Sequence, residues 1–241
     1  MVTGSPRRVG VDVSNWSWKA VRAYVEKHAA VRLSRASCLR YLHRLHFVWK
    51  RPKKRLLRAN AARRADFMTA YRELVVDAGR TGTTIFFVDE AHFRADGDLR
   101  GMWVHRGTEA LVDSTSPRWG EKASYYSAVC IETGAVEVME LVGNSTAKTS
   151  ATFLQQLRTN HPEPLIIIWD NGPAHGGDAL RTYLTTPDLR MRLMRLPPYS
   201  PDFNCDEAIW NWARADVTGN VCLGTTAKVQ EHLAPFFAGL A

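Results

Sequence analysis

Two short apolar runs constrain the fold more than any other feature of the chain. Thr84–Val88 (TIFFV) and Leu165–Trp169 (LIIIW) are rich in β-branched and aromatic residues, and each runs straight into an aspartate, Asp89 and Asp170. Runs this short have the length of buried strands rather than of helices. Around them, Met102–Arg106 reads as a further short strand. Ala123–Glu132 and Ala135–Val142, split by Thr133-Gly134, read as a hairpin. Ala147–Thr159 has a helical stripe of Phe153, Leu154 and Leu157. Asp178–Leu184 is a second helix, Met191–Leu196 a strand, and a helix starts near Asp206 after the loop LPPYSPDFN. Strands paired first as hairpins and then alternating with helices give an α/β fold, a mixed sheet with helices on its faces.

Ahead of Gly82 the pattern is helical. Trp18–Lys27 places Val21, Tyr24 and Val25 on one stripe. After the polar connection Val31–Ser34, the segment Ala36–Leu45 repeats the pattern with Leu39, Leu42 and Leu45 apolar and Arg40 and Arg44 facing out. Ser34 or Ser37 caps the second helix. Two short helices, a tight connection and basic residues on the second form a helix-turn-helix pattern. Arg63–Val76 reads as one more amphipathic helix before the Gly79–Gly82 break. The charge follows the same division: residues 1–75 hold 18 Lys and Arg against 4 Asp and Glu, within a whole-chain net of +8. The run Lys50–Arg64 (KRPKKRLLRANAARR) packs eight basic residues into fifteen. Clustered cations of this kind release counterions from a nucleic-acid backbone. Arg40, Arg44, Lys50, Arg51, Lys53, Lys54, Arg55 and Arg58 are therefore the expected DNA contacts.

Three acidic positions carry the chemistry. Asp89 and Asp170 sit where strands end, and reactive groups in open α/β sheets gather in the crevice beyond strand ends. The third acid is Glu207 in NCDEAIW, with Asp206 beside it. Oxygen-only ligands suit Mg²⁺, which is held by a few carboxylates together with substrate phosphates. Two such ions activate a water or a 3′-hydroxyl and stabilise the leaving oxygen of a phosphodiester.

The segments VDEAHF (Val88–Phe93), WDNGPAH (Trp169–His175) and LPPYSPDFNCDEAIW (Leu196–Trp210) resemble the DDE transposases of bacterial insertion sequences in the mariner-like superfamily. Pro197–Asn204 follows that family's third motif, Glu207 falls on its acid and Trp210 on its aromatic. The resemblance runs over roughly residues 84–212, and the strand order fits the ribonuclease-H-like layout it implies. It further implies a metal-dependent enzyme that cuts and rejoins double-stranded DNA. Its substrates would be terminal inverted repeats and target DNA, its cofactors two Mg²⁺ or Mn²⁺ ions held by Asp89, Asp170 and Glu207. A homodimer on DNA and a bacterial cytoplasmic, nucleoid-associated location are implied as well. Two positions depart from the motif: Cys205 stands where the family has proline, and Asp206 adds an acid. Either acid can ligate metal, and the spacing to Trp210 favours Glu207. Relatives carry two helix-turn-helix modules and only one fits before Gly82, so a truncated front is expected.

The expected division is residues 1–50 for the helix-turn-helix, 51–80 for a basic linker and helix, and 81–241 for the catalytic domain. His175, Asn171 and Asp206 are candidates for supporting the site: His175 either bonds a carboxylate or the scissile phosphate, or has a structural role at a helix N-terminus. Glu90 and His92 are expected to face away from Asp89 or to support it. Asp96 and Asp98 read as a polar hairpin loop, and Trp103, Trp169, Trp210 and Trp212 as packing residues. Cys38, Cys130, Cys205 and Cys222 form no CxxC pair, so reduced thiols are expected and a zinc site is not. There is no GxxxxGK[ST], no GxGxxG after a strand and no GxSxG, which leaves nucleotide hydrolysis, a nucleotide cofactor and acyl transfer without support. No apolar stretch approaches the ~20 residues of a membrane span. The alternative to a strand-transfer enzyme is a domesticated or inactive transposase that acts only by binding DNA.

Overall fold

The computed structural model describes residues 4–50, 60–115 and 120–240, and the chain divides into two compact units at Arg55 and Leu56. The first unit holds α1 (Trp18–Ala29) and α2 (Arg35–Arg44), preceded by a short 3-10 turn at Pro6–Val9. Ser17 caps α1 by accepting from the Ala20 amide, and Ser34 caps α2 by accepting from Ser37. The buried face is built from Ala20, Val21 and Cys38. Leu39 and Leu45, expected on the inner stripe of α2, are exposed, because the helix turns its smaller Cys38 face inward. Arg40 and Arg44 are exposed as expected.

The second unit starts with α3 (Ala61–Thr81), capped by Asn60 and longer than Arg63–Val76. Gly79 does not break it. The helix stops at Gly82, whose φ of 64° is the left-handed conformation that glycine adopts without steric cost. A five-stranded sheet comes next in the order β3-β2-β1-β4-β5: β1 (Thr84–Arg94), β2 (Lys122–Cys130), β3 (Val136–Leu141), β4 (Leu165–Trp169) and β5 (Met191–Arg195). β1, β2 and β3 are antiparallel neighbours, whereas β4 and β5 run parallel to β1. This is the mixed sheet expected from the sequence.

The period of two along each strand sorts side chains to opposite faces. Phe86, Val88, Tyr126, Ile167 and Trp169 pack against α4 (Ala147–Asn160) and α5 (Asp178–Leu184), with Phe153, Leu154 and Leu157 completely buried. On the other face Ile85, Phe87, Ile166 and Ile168 meet Phe67 and Ala78 of α3. Ala91, Phe93 and Tyr125 meet Trp210 of α6 (Glu207–Ala213) and Val229 and Leu233 of α7 (Thr226–Ala238). Helices thus cover both faces.

Three expectations are corrected. β1 does not end at Asp89 but continues to Arg94, because Ala91 and Phe93 alternate inward and pair the strand with β2. Met102–Arg106 forms no strand. Trp103 there is fully exposed, and among the described residues the segment finds neither a partner strand nor a core to satisfy its β-propensity. Trp103 is thus no packing residue, whereas Trp169 and Trp210 are core residues and the half-exposed Trp212 packs edge-on against Phe236. None of the described helices is long and apolar enough to cross a membrane.

Candidate active site

The sheet explains how three carboxylates from distant segments meet. Parallel pairing of β1 with β4 stops at Phe87 opposite Ile168. Asp89 lies two residues beyond, on the stretch of β1 that keeps β2 but has lost β4. Asp170 directly follows β4. Glu207 is the first residue of α6. All three line one cleft of about 430 Å³, walled by Leu196–Pro201, Asn171 and Asn204. Asp206 is fully buried and is not part of that wall.

The cleft is electrostatically loaded. Burial, then the charge of Glu207, with smaller pushes from Glu90 and Asp170, raises the Asp89 carboxyl to about 7. Burial pushes Asp206 well above the usual carboxylate range, against the hydrogen bond from Ser127, and Asp89 and Glu207 add to the push. Ser127 Oγ donates to Asp206 Oδ1 at 2.5 Å, and Asp206 Oδ2 has no hydrogen-bond partner among the described residues. Ser127 sits directly opposite Asp89 in the β1–β2 register. Asn204 ties this corner together: its Oδ1 accepts from the Asp206 amide and its Nδ2 donates to the Val88 carbonyl.

Asp170 is held differently. Its Oδ1 accepts from His175 Nδ1 at 2.7 Å and from the Gly172 amide at 2.8 Å. The His175 bond, aided by Gly172 and by the charges of His175 and Arg195, keeps Asp170 below its ordinary value despite burial. The backbone approaches so closely that a Cβ on Gly172 would lie 3.0 Å from the His175 ring and 3.1 Å from Asp170 Oδ1. His175 Nε2 reaches Glu90 Oε1 at 2.7 Å, and the ring stacks on Trp169 with centroids 3.9 Å apart. Burial alone would lower the His175 imidazole, but its bonds to Asp170 and Glu90 raise it to about 9. Arg195 donates to the carbonyls of Asp170 and His175, and Asn171 Nδ2 donates to the Leu196 carbonyl at 2.6 Å.

Of the residues expected to act here, Asp89, Asp170, Glu207 and Asn171 share the cleft, while His175 lies behind Asp170, bonded to two carboxylates. Glu90, a residue with two readings in the sequence, supports the site through His175. His92 instead meets Ser124 Oγ at 2.8 Å. Ser127 and Arg195 are not marked by the sequence, and Asn204 is marked only as the last residue of the Pro197–Asn204 motif, without a role. Ser127 becomes visible only through strand register, and nothing local distinguishes Arg195. Lys50 is exposed, and Arg51, Lys53, Lys54, Arg55 and Arg58 lie outside the described residues. Arg64, part of the basic run, is engaged elsewhere: it forms two bonds to Asp202, at 3.0 and 2.6 Å, bonds Ser200 Oγ and covers the Phe203 ring at 4.0 Å.

The donor set fits hard divalent cations, which take carboxylate oxygens. Like charges crowd Asp89 in the cleft, a cost that a bound cation would offset. Among the described residues, the ligand-capable group that converges within 4.8 Å is Glu90, Asp170 and His175 rather than the three expected acids. Both nitrogens of that histidine are already engaged with carboxylates.

Comparison with known proteins gives a family model and a fold. The model of the DDE superfamily endonucleases matches residues 84–226, and a winged helix-turn-helix model matches residues 12–71. No curated protein matches the sequence. Among solved structures, the Mos1 transposase paired-end complex with the left transposon end is similar with a TM-score of 0.61 at 17% identity. The match covers 92% of this chain and 71% of that one. The mariner Mos1 paired-end complexes with Mg and with Mn give TM-scores of 0.63 and 0.61 at 16% and 17% identity. They cover 93% and 95% of this chain, and 72% and 73% of theirs. At such identities the likeness is one of fold.

Proposed function

The chain belongs to the DDE superfamily of endonucleases, and from that premise we propose that it is a transposase. In this reading it cuts and rejoins double-stranded DNA at the ends of an insertion sequence. The observation that carries the proposal is the single cleft lined by Asp89, Asp170 and Glu207, three acids contributed by β1, the end of β4 and the start of α6. Such a cluster is costly to ionise without a cation, and the crowding that raises Asp89 marks that cost. Asp89, Asp170 and Glu207 would hold two Mg²⁺ or Mn²⁺ ions. When bound, these supply an activated water or 3′-hydroxyl and stabilise the leaving oxygen of the phosphodiester.

The protein's own groups have separable tasks. Asp89 gives up its proton when a cation is present to take its place. Asp170 arrives already ionised, with Oδ1 occupied by His175 and Gly172, so Oδ2 is the oxygen left for a ligand. Asp206, behind the cleft, braces the start of α6 through Ser127. The exposed Arg40, Arg44 and Lys50, with Arg51, Lys53, Lys54, Arg55 and Arg58, contact DNA phosphates, and two copies act together on the paired ends.

The test is cleavage of DNA carrying the element's terminal repeats. Asp89→Asn, Asp170→Asn and Glu207→Gln should each bring cleavage to background. Activity should need Mg²⁺ or Mn²⁺, vanish with chelator and be weak with Ca²⁺, whose coordination is looser. A Glu207→Gln protein that still cuts beside a dead Asp206→Asn would move the third role to Asp206. A wild-type chain that binds the repeats and never cuts them would favour the DNA-binding alternative.

A further inference from the structure

β1 and β4 carry the first two acids, yet their backbone pairing ends at Phe87 and Ile168, short of both. Beyond that point no ladder bond fixes the distance between Asp89 and Asp170. A side-chain connection spans the gap instead. Glu90, next to Asp89 on β1, bonds His175 Nε2 at 2.7 Å, and His175 Nδ1 bonds Asp170 Oδ1 at 2.7 Å. The histidine is 2% exposed and stacked on Trp169, so its ring has little freedom. Glu90 is itself fixed: Ser145 Oγ donates to Glu90 Oε1 at 2.6 Å, and Tyr126 Oη lies 2.6 Å from Ser145 Oγ and 2.9 Å from Ser150 Oγ. Ser150 closes the ring by donating to the Ala174 carbonyl, one residue before His175.

We propose that Glu90 and His175 form a positioning bridge that sets the spacing and orientation of Asp89 and Asp170 across the end of the β1–β4 pairing. The bridge rests on the reading of those acids as metal ligands, and it assigns to Glu90 and His175 no contact with the ions. Hydrogen-bond partners of metal ligands act this way, and losing one costs ~10–100-fold in metal affinity or activity. Both bonds are required: one without the other leaves Asp170 oriented but not tied to β1, or β1 tied to a histidine that no longer holds Asp170.

Two substitutions separate the bonds. The amide of His175→Asn occupies roughly the place of Nδ1 and can serve Asp170 alone, while that of His175→Gln reaches the place of Nε2 and can serve Glu90 alone. Glu90→Ala removes the anchor. The full chain and the three variants are compared by Mn²⁺ titration followed by electron paramagnetic resonance, and by amide hydrogen exchange without metal. The bridge predicts Mn²⁺ affinity reduced about 10–100-fold in all three. It also predicts exchange at Gly172, whose amide bonds Asp170, at least about tenfold faster, with the amides of Tyr126 and Ile167 unchanged. Faster exchange across the whole sheet would reduce the three residues to core packing and overturn the proposal. So would a His175→Asn protein equal to wild type, which would leave only a local bond to Asp170. Loss of one whole Mn²⁺ equivalent in the His175 variants alone, with Asp89→Asn and Glu207→Gln binding normally, would make His175 a ligand and also overturn it. If the wild-type chain bound no Mn²⁺, or Asp170→Asn bound it unchanged, the metal reading would fail, and the Gly172 exchange would still decide for or against the bridge.

Discussion

Asp89 and His175 are both raised, and their consequences for stability occupy different pH windows. For Asp89 the folded chain holds a proton up to about 7 that the unfolded chain releases near its ordinary value. Between those limits the folded state binds more protons, so stability falls as pH rises through the window. At about 1.4 kcal/mol per unit, the loss is on the order of 4 kcal/mol at most, and the buried Asp206 adds in the same direction. His175, raised to about 9, contributes stability that is fully present below its ordinary value near 6.5 and is lost as pH climbs through about 9. In chelator, the melting temperature should therefore decline from about pH 4 onward, first through the carboxyls and then through the histidine. Mg²⁺ should restore more of it at pH 8 than at pH 5, because a protonated Asp89 competes with the cation. Asp89→Asn should flatten the acid part of the profile. A variant whose curve between pH 4 and 7 overlaid the wild type would assign that titration to another group. Sequence alone made the acids candidates, but their separate environments come from contacts such as Ser127 with Asp206, between residues 79 positions apart.

Arg64 shows how an element can redirect a residue whose neighbours suggest another role. It sits on the first turn of α3, and that helix, packing Phe67 against the sheet, brings its guanidinium to Asp202 and Phe203, which directly follow the cleft-wall segment Leu196–Pro201. Arg64→Ala should cost on the order of 1 kcal/mol, the range for a partly exposed ion pair combined with a cation–π contact. A double-mutant cycle with Asp202→Asn should give non-additive losses in thermal unfolding; strictly additive losses would mean that the pair does not hold the turn. The same distinction between local pattern and partner explains which elements the sequence revealed. Leu165–Trp169 and Asp178–Leu184 were legible to the residue because their signals are entirely local. β1 was legible only in part: taking Asp89 as its end hid the alternation of Ala91, His92, Phe93 and Arg94, which has meaning only beside β2. Met102–Arg106 has strand-like residues and pairs with no strand among the described residues. α7 was legible only in part: Val229, Leu233, Phe236 and Phe237 stand at i, i+4, i+7 and i+8, but Pro235 argues against a helix that runs on to Ala238, and the packing against Phe93 and Tyr125 that holds it is distant in sequence. At the candidate site the three acids were legible because short motifs carry them; Asn204 shares the third motif, but its bonds to Asp206 and Val88 appear only in the fold, and Ser127 and Arg195 act through register and loop approach.

At the scale of the whole molecule the governing quantity is the uneven charge. Residues 1–75 hold 18 of the 32 basic residues and only 4 of the 24 acids; the rest of the chain is net acidic and contains the carboxylate cleft. A polyanion would be drawn to the front and repelled by the cleft, which makes phosphate contacts at the front the expected source of affinity in the proposed DNA complex. Arg64 is already paired with Asp202, which leaves seven basic residues in Lys50–Arg64 for phosphates. If about six of them make contact, log K should fall with log salt at a slope near −5, at ~0.9 per contact. That is roughly a thousandfold loss between about 50 and 200 mM salt. Neutralising Lys53, Lys54 and Arg55 together should weaken binding evenly on all duplexes and flatten the slope by about two to three units. Arg64→Ala should leave the slope where it was, because its charge is held by Asp202. The measurement is binding to terminal-repeat and scrambled duplexes over a salt series. A triple variant that kept the slope and changed only the preferred duplex would show the segment reading bases, and the phosphate-arm assignment of Lys50–Arg58 would have to be given up.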